Sequence, residues 1–107
     1  MFEKDDFIPV CEEKDLELGA LNEKVVHGIP IALIRYEKNG ELFVVCTQCP
    51  HEGRPLTELN GYYLCCQAHG LCFDVRTGEL EGYPTSGLKL KKFDWKIESG
   101  KIWVRLK

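Results

Sequence analysis

A chain of 107 residues suits one small domain and leaves no room for a second core of useful size. With 44% apolar and 29% charged residues and no low-complexity tract, it has the composition of a globular protein. A net charge of −3 argues against a nucleic-acid partner, because phosphate binding needs a clustered basic face. The only short basic run, Lys89, Lys91 and Lys92, reads as the solvated face of a strand.

The opening MFEKDDF is acidic where a secretory signal is basic, and no segment reaches membrane-spanning length. A cytoplasmic protein with no membrane partner is therefore expected. Disulfides are rare in that compartment, so six cysteines point to metal or redox chemistry.

In chain order the pattern is strand-like almost throughout. Phe7 to Cys11 is a short apolar run, followed by the acidic EEKDLELG, which reads as a solvated loop. Val25 and Val26 lead into a turn at His27-Gly28, and the β-rich IPIALIRY follows. Asn39-Gly40 then signals a hairpin with ELFVVC as the partner strand. After a cysteine-rich middle come LKLKKFDW, a turn at Ser99-Gly100 and the alternating KIWVRL. Trp95, Trp103 and the tyrosines read as core or strand surface. No window carries a helical stripe. The expectation is an all-β, small antiparallel sandwich or barrel-like domain over residues 1–107, with a loop-rich part at about 46–84.

Two loops interrupt the strands. CTQCPHEGRPL carries two prolines and a glycine, and CCQAHGLCFDVRTGE follows the turn signal Asn60-Gly61 and a short strand from Tyr62 to Leu64. Arg76 to Glu79 reads as a further hairpin turn. A hairpin joining the two loops brings their tips side by side. The chain has three histidines, and two lie here: Cys49-Pro50-His51 on the first loop and Cys66-Gln67-Ala68-His69 on the second. Each loop thus offers one thiolate and one imidazole. A Cys3His zinc site from Cys46, Cys49, Cys66 and His69 also has acceptable spacing, though it leaves His51 unexplained. Cys46-Thr47-Gln48-Cys49 as a thioredoxin-like dithiol fits less well, since Pro50 and the surrounding strands supply no helix.

These motifs resemble those of Rieske-type [2Fe–2S] proteins. CPHEGRPL is similar to that family's first cluster loop, CQAHGLCFDVRTGE to its second loop and following hairpin, and Pro84 to a proline in a loop that helps cover the cluster. The resemblance implies one [2Fe–2S] cluster per chain, with Cys49 and Cys66 on one iron and His51 and His69 on the other. Gly53 and Gly70 follow the histidines closely, where the lack of Cβ would admit backbone N–H groups toward the sulfurs. Cys65 would face away from Cys66 on its strand, and Cys72, Cys46 and Cys11 read as small buried hydrophobes.

The resemblance also implies a low potential. High-potential members link their two loops by a disulfide at positions that are Arg54 and Ala68 here. They also place a serine and a tyrosine where this chain has Leu71 and Phe73, which cannot donate hydrogen bonds. The expected potential lies near the low end of the Rieske range, roughly −150 mV. The implied function is a non-enzymatic one-electron carrier between a flavin- or NAD(P)H-dependent reductase and an oxygenase or similar acceptor. With only His27 left over, in a turn, the chain lacks the second iron site of an oxygenase.

Overall fold

The computed structural model describes residues 6–38, 40–50, 53–67, 70–83 and 86–106. Nine strands lie among them: β1 (Phe7–Glu12), β2 (Asn22–Val26), β3 (Ile29–Arg35), β4 (Leu42–Cys46), β5 (Glu58–Asn60), β6 (Tyr63–Cys66), β7 (Leu71–Asp74), β8 (Asp94–Glu98) and β9 (Lys101–Arg105). One 3-10 turn, Glu13–Asp15, sits after β1. The strands form three antiparallel three-stranded sheets, ordered β1-β9-β8, β2-β3-β4 and β5-β6-β7. The all-β expectation holds.

The middle sheet explains the long apolar run IPIALIRY. Ile31, Ala32, Leu33 and Ile34 are all fully buried, although successive strand residues face opposite sides. Ile31 and Leu33 pack with Leu42, Val44, Phe93, Ile102 and Val104, toward the sheet that contains β9. Ala32 and Ile34 pack with Val45, Leu56, Leu64, Phe73 and Val75, toward the β5-β6-β7 sheet. Sheet β2-β3-β4 is therefore covered on both faces, so it shows a continuous apolar run in place of alternation. The third sheet and its two flanking loops rest on one face of this layer.

The turns follow the glycine signals. His27 and Gly28 (φ 51° and 78°) close β2 onto β3, and Ser99 and Gly100 (φ 56° and 76°) close β8 onto β9. Two successive positive φ values suit the right-handed twist of a two-residue hairpin. At Asn39-Gly40, Asn39 lies outside the described residues, while the Gly40 amide donates to the Tyr36 carbonyl at 2.8 Å. Strand β6 starts at Tyr63, because Gly61 and Tyr62 form the turn that pairs Asn60 with Tyr63.

The run LKLKKFDW is a strand only from Asp94 onward. Residues 89–93 instead cross between two sheets through single bridges. Leu90 N–H donates to Gly78, the Lys91 carbonyl accepts from Cys46, and Phe93 N–H donates to Val44, at 2.7, 2.8 and 2.9 Å. Leu90 and Phe93 are buried, one in each apolar cluster, while the three lysines are exposed as expected.

Candidate cluster-binding loops

The first loop leaves β4 at Cys46 and returns into β5. Thr47, the buried polar side chain among the described residues, anchors its base: its N–H reaches the Pro30 carbonyl at 3.1 Å, and its own carbonyl accepts Leu56 N–H at 2.7 Å. Gln48 pairs with Pro55 across the loop. Above them, Cys49 N–H donates to the Arg54 carbonyl at 2.8 Å, and Gly53 N–H donates to the Cys49 carbonyl at 2.7 Å.

The second loop repeats this closure. Cys66 pairs with Leu71, and the Gly70 amide donates to the Cys66 carbonyl at 2.8 Å. Gly53 and Gly70 have φ of 75° and 69°, the left-handed conformation that ends each turn. A Cβ on either glycine would meet nothing within 4 Å. The glycines are thus required for their backbone conformation. Their amides close the loops, each donating to the carbonyl of the cysteine four residues before it.

Cys49 and Cys66, at equivalent places in the two loops, are free, 2% and 1% exposed, and members of one apolar cluster. His51 and His69 lie outside the described residues, as do Ala68 and Pro84. Cys46 packs against the other apolar cluster, on the far face of the middle sheet, away from Cys49 and Cys66. That placement removes it from a shared zinc site with them. Cys11 is half-buried in the same far cluster, where burial raises its thiol pKa, in keeping with its reading as a small hydrophobe.

Cys65 and Cys72 depart from expectation. They are neither free nor merely apolar, because a disulfide joins them across β6 and β7. The alternation itself holds. Leu64, Cys66, Leu71 and Phe73 face the buried cluster, and Cys65 and Cys72 stand opposite each other on the other face. The signal was present in the sequence: a glycine closing the loop at position 70 pairs Cys66 with Leu71, and the next pair outward is Cys65 with Cys72.

The turn after β7 is braced by charge. Asp74 accepts hydrogen bonds from the Arg76 backbone and guanidinium at 2.8 to 3.0 Å, and the Arg76 guanidinium lies 4.2 Å over the Tyr62 ring. The hydrogen bond from Arg76 holds the Asp74 carboxyl below the usual carboxylate range. Tyr62 stacks on Tyr36 with ring centroids 4.5 Å apart, and Tyr36 Oη donates to the Gly61 carbonyl at 2.6 Å. Burial, and then the neighbouring Tyr62, pushes the Tyr36 phenol up to about 12. These aromatics fix the outer end of the β5-β6 hairpin that joins the two loops.

The described residues thus form an antiparallel β-protein that carries two buried free thiols, Cys49 and Cys66, on loops of matched closure. Residues 6–94 match the Rieske [2Fe-2S] domain family, and the chain belongs to it. The family's cofactor is a [2Fe–2S] cluster, one per domain. The two buried free thiols suit the cysteine half of such a site.

Among its relatives, apoptosis-inducing factor 3 of Homo sapiens is 40% identical over 99 residues, covering 90% of this chain. The chain spans only 16% of that relative's length. The ferredoxin component of the p-cumate 2,3-dioxygenase system of Pseudomonas putida is 32% identical over 103 residues, covering 92% of this chain and 85% of the relative. Among solved structures, a chain of the complex of reduced oxygenase and oxidised ferredoxin in carbazole 1,9a-dioxygenase superposes with a TM-score of 0.71 at 26% identity. That match covers 91% of this chain and 99% of the other.

Proposed function

We propose that this chain is a one-electron carrier in which Cys49, His51, Cys66 and His69 hold one [2Fe–2S] cluster, within a cluster-binding part at about residues 46–84. The observation that carries the reading is the pairing of Cys49 and Cys66: both thiols are buried, free and in one apolar cluster, each at the start of a loop closed by a glycine four residues on. The cluster, when bound, supplies a centre that accepts and donates one electron at a time. The chain's own residues hold the two thiolates at fixed places and exclude water beneath them through Leu56, Leu64 and Phe73. Leu71 and Phe73 offer no hydroxyl to the site, which supports the expectation of a low potential.

The ferredoxin component of the p-cumate system, similar over most of its length, supports a carrier between a flavin- or NAD(P)H-dependent reductase and an oxygenase. The ferredoxin–oxygenase complex among the structural relatives supports an oxygenase as acceptor. A cytoplasmic setting belongs to the same proposal. No helix among the described residues is long and apolar enough to cross a membrane. A second reading, an electron-transfer part of a larger oxidoreductase, is favoured by the 40% identity to a relative of which this chain spans 16%. A stable co-purifying partner separates the two readings.

Visible and EPR spectra of anaerobically purified protein, oxidised and then reduced, test the cluster, with iron and sulfide assayed alongside. The expected result is two irons and two sulfides per chain, lost on replacing Cys49, Cys66, His51 or His69 and kept in Cys46→Ser. A colourless protein with one zinc overturns the proposal.

A further inference from the structure

The Cys65–Cys72 bond has no part in electron carriage as described above, yet it encloses the second loop. The two residues oppose each other on β6 and β7 with Cα atoms 4.0 Å apart, one pair outward from Cys66 and Leu71. Residues 65–72 therefore form a covalent ring, and Cys66 is one of its members. Beside this bond, the base of the loop is held by the pairing of β6 with β5 and β7 and by the Gly70–Cys66 hydrogen bond. Thr57 N–H also donates to the Cys65 carbonyl and Glu81 N–H to the Cys72 carbonyl, at 3.2 and 2.8 Å.

The two sulfurs differ in access. Cys65 is 4% exposed, whereas Cys72 is only half-buried, so a reagent from solution meets Cys72 first. The four remaining cysteines are free thiols. In a reducing compartment a disulfide persists only if its own potential opposes the ambient poise, and cytosolic ones are mostly transient or sensing.

We propose that Cys65–Cys72 is a thiol–disulfide exchange site for a dithiol reductant, and that its state sets how firmly the second loop holds its ligands. A thiolate of the dithiol attacks the Cys72 sulfur and forms a mixed disulfide. The Cys65 sulfur leaves as a thiolate and takes a proton. The second thiol of the reductant then displaces Cys72, which is protonated in turn. The protein gains two electrons and two protons, and the dithiol becomes a disulfide. Opening the ring restores conformational freedom at the base of the loop. The part that concerns ligand retention rests on the assignment of Cys66 and His69 as ligands; the exchange itself does not.

The test uses purified protein carrying its cluster, held anaerobically in glutathione buffers from oxidising to reducing and finally in dithiothreitol. Samples are acid-quenched, alkylated and mapped by mass spectrometry, while release of iron to a coloured chelator is followed in parallel. The expected result is that Cys65 and Cys72 pass together from bonded to alkylated. Iron release should rise on the order of tenfold, the scale on which lost ligand-orienting contacts weaken a metal site. The Cys65→Ser/Cys72→Ser variant reports any direct stripping by the dithiol and should release iron at the faster rate in every buffer.

A bond that survives excess dithiol in the folded protein overturns the exchange site, as do two free thiols in the most oxidising buffer. Reduction with unchanged iron release overturns the effect on the loop, in wild-type protein whether or not the variant folds. Protein that never carries iron overturns the carrier reading and with it ligand retention, while the alkylation map still decides the exchange.

Discussion

The carbonyl of Cys66 accepts the amide of Gly70 at 2.8 Å, and the same closure recurs between Cys49 and Gly53 at 2.7 Å. Asp74 and Gly78 repeat it at 2.6 Å, and Tyr36 and Gly40 at 2.8 Å. In all four, a glycine at positive φ follows four residues after the carbonyl that its amide reaches. One turn form thus builds both candidate cluster loops and two structural hairpins.

That shared form yields a ranking. A methyl group on Gly70 or Gly53 meets open space, so alanine there should cost only the left-handed conformation, about 1 kcal/mol. On Gly78 (φ 85°) the added Cβ would lie 2.9 Å from the Leu90 carbonyl oxygen, a backbone atom that cannot step aside cheaply. Gly78→Ala should therefore cost about 3 kcal/mol, conformation and overpacking together. Urea unfolding of the three variants checks the order; equal midpoints would contradict it.

Asp74 predicts an acid limb to stability. Its folded carboxyl is held below the usual range, chiefly by hydrogen bonding from Arg76, so the native state favours the charged form. That stability is present above the unfolded carboxyl pKa and is lost as pH falls through the lower folded one. Asp74→Asn should lower stability by about 1 kcal/mol at pH 7 and lose less than wild type on acidification below pH about 4. Thermal midpoints of both proteins at neutral and acid pH should converge; parallel curves would show that the pair contributes nothing.

Much of the fold is legible in the residues. Turns at His27-Gly28 and Ser99-Gly100, pairing across Gly40, and terminal alternation all follow from local chemistry. The double coverage of Ile31 to Ile34 is consistent with the sequence, yet an unbroken apolar run does not say what lies on either side. Residues 89–93 misled because Leu90 and Phe93 serve two different clusters, so their burial mimics a strand without one ladder. For the site, Cys49 and Cys66 share one apolar cluster, and Cys46 is set apart by the alternation of β4. Cys65–Cys72 was missed because compartment arguments address whether disulfides form, whereas pairing is decided by strand register.

Tyr36 predicts an alkaline limb. Burial raises its phenol from the usual 10 to about 12, so the folded state favours the protonated form. Its contribution is complete below pH 10 and is lost as pH rises through about 12. Tyr36→Phe leaves the Gly61 carbonyl without its 2.6 Å donor and should cost about 1 kcal/mol at neutral pH. Phenolate absorbance followed against pH in wild type and variant isolates this group; a Tyr36 transition at the ordinary value would contradict the burial argument.

Phe73 joins the proposed cluster chemistry to the fold. It is fully buried, faces the same apolar cluster as Cys66, and pairs with Leu64 across β6 and β7. A hydroxyl added there leaves water, and it must either find an acceptor or destabilise the protein by about 1–3 kcal/mol. If the cluster sits against Cys66 as proposed, a cysteine or cluster sulfur is the acceptor. A hydrogen bond to that sulfur stabilises the reduced, more negative state more than the oxidised one. Phe73→Tyr should then raise the potential above that of wild type with little loss of stability. Redox titration followed by visible absorbance, beside urea unfolding, checks both halves. An unchanged potential with a destabilised fold would place the hydroxyl away from the sulfurs and count against the assigned ligand geometry.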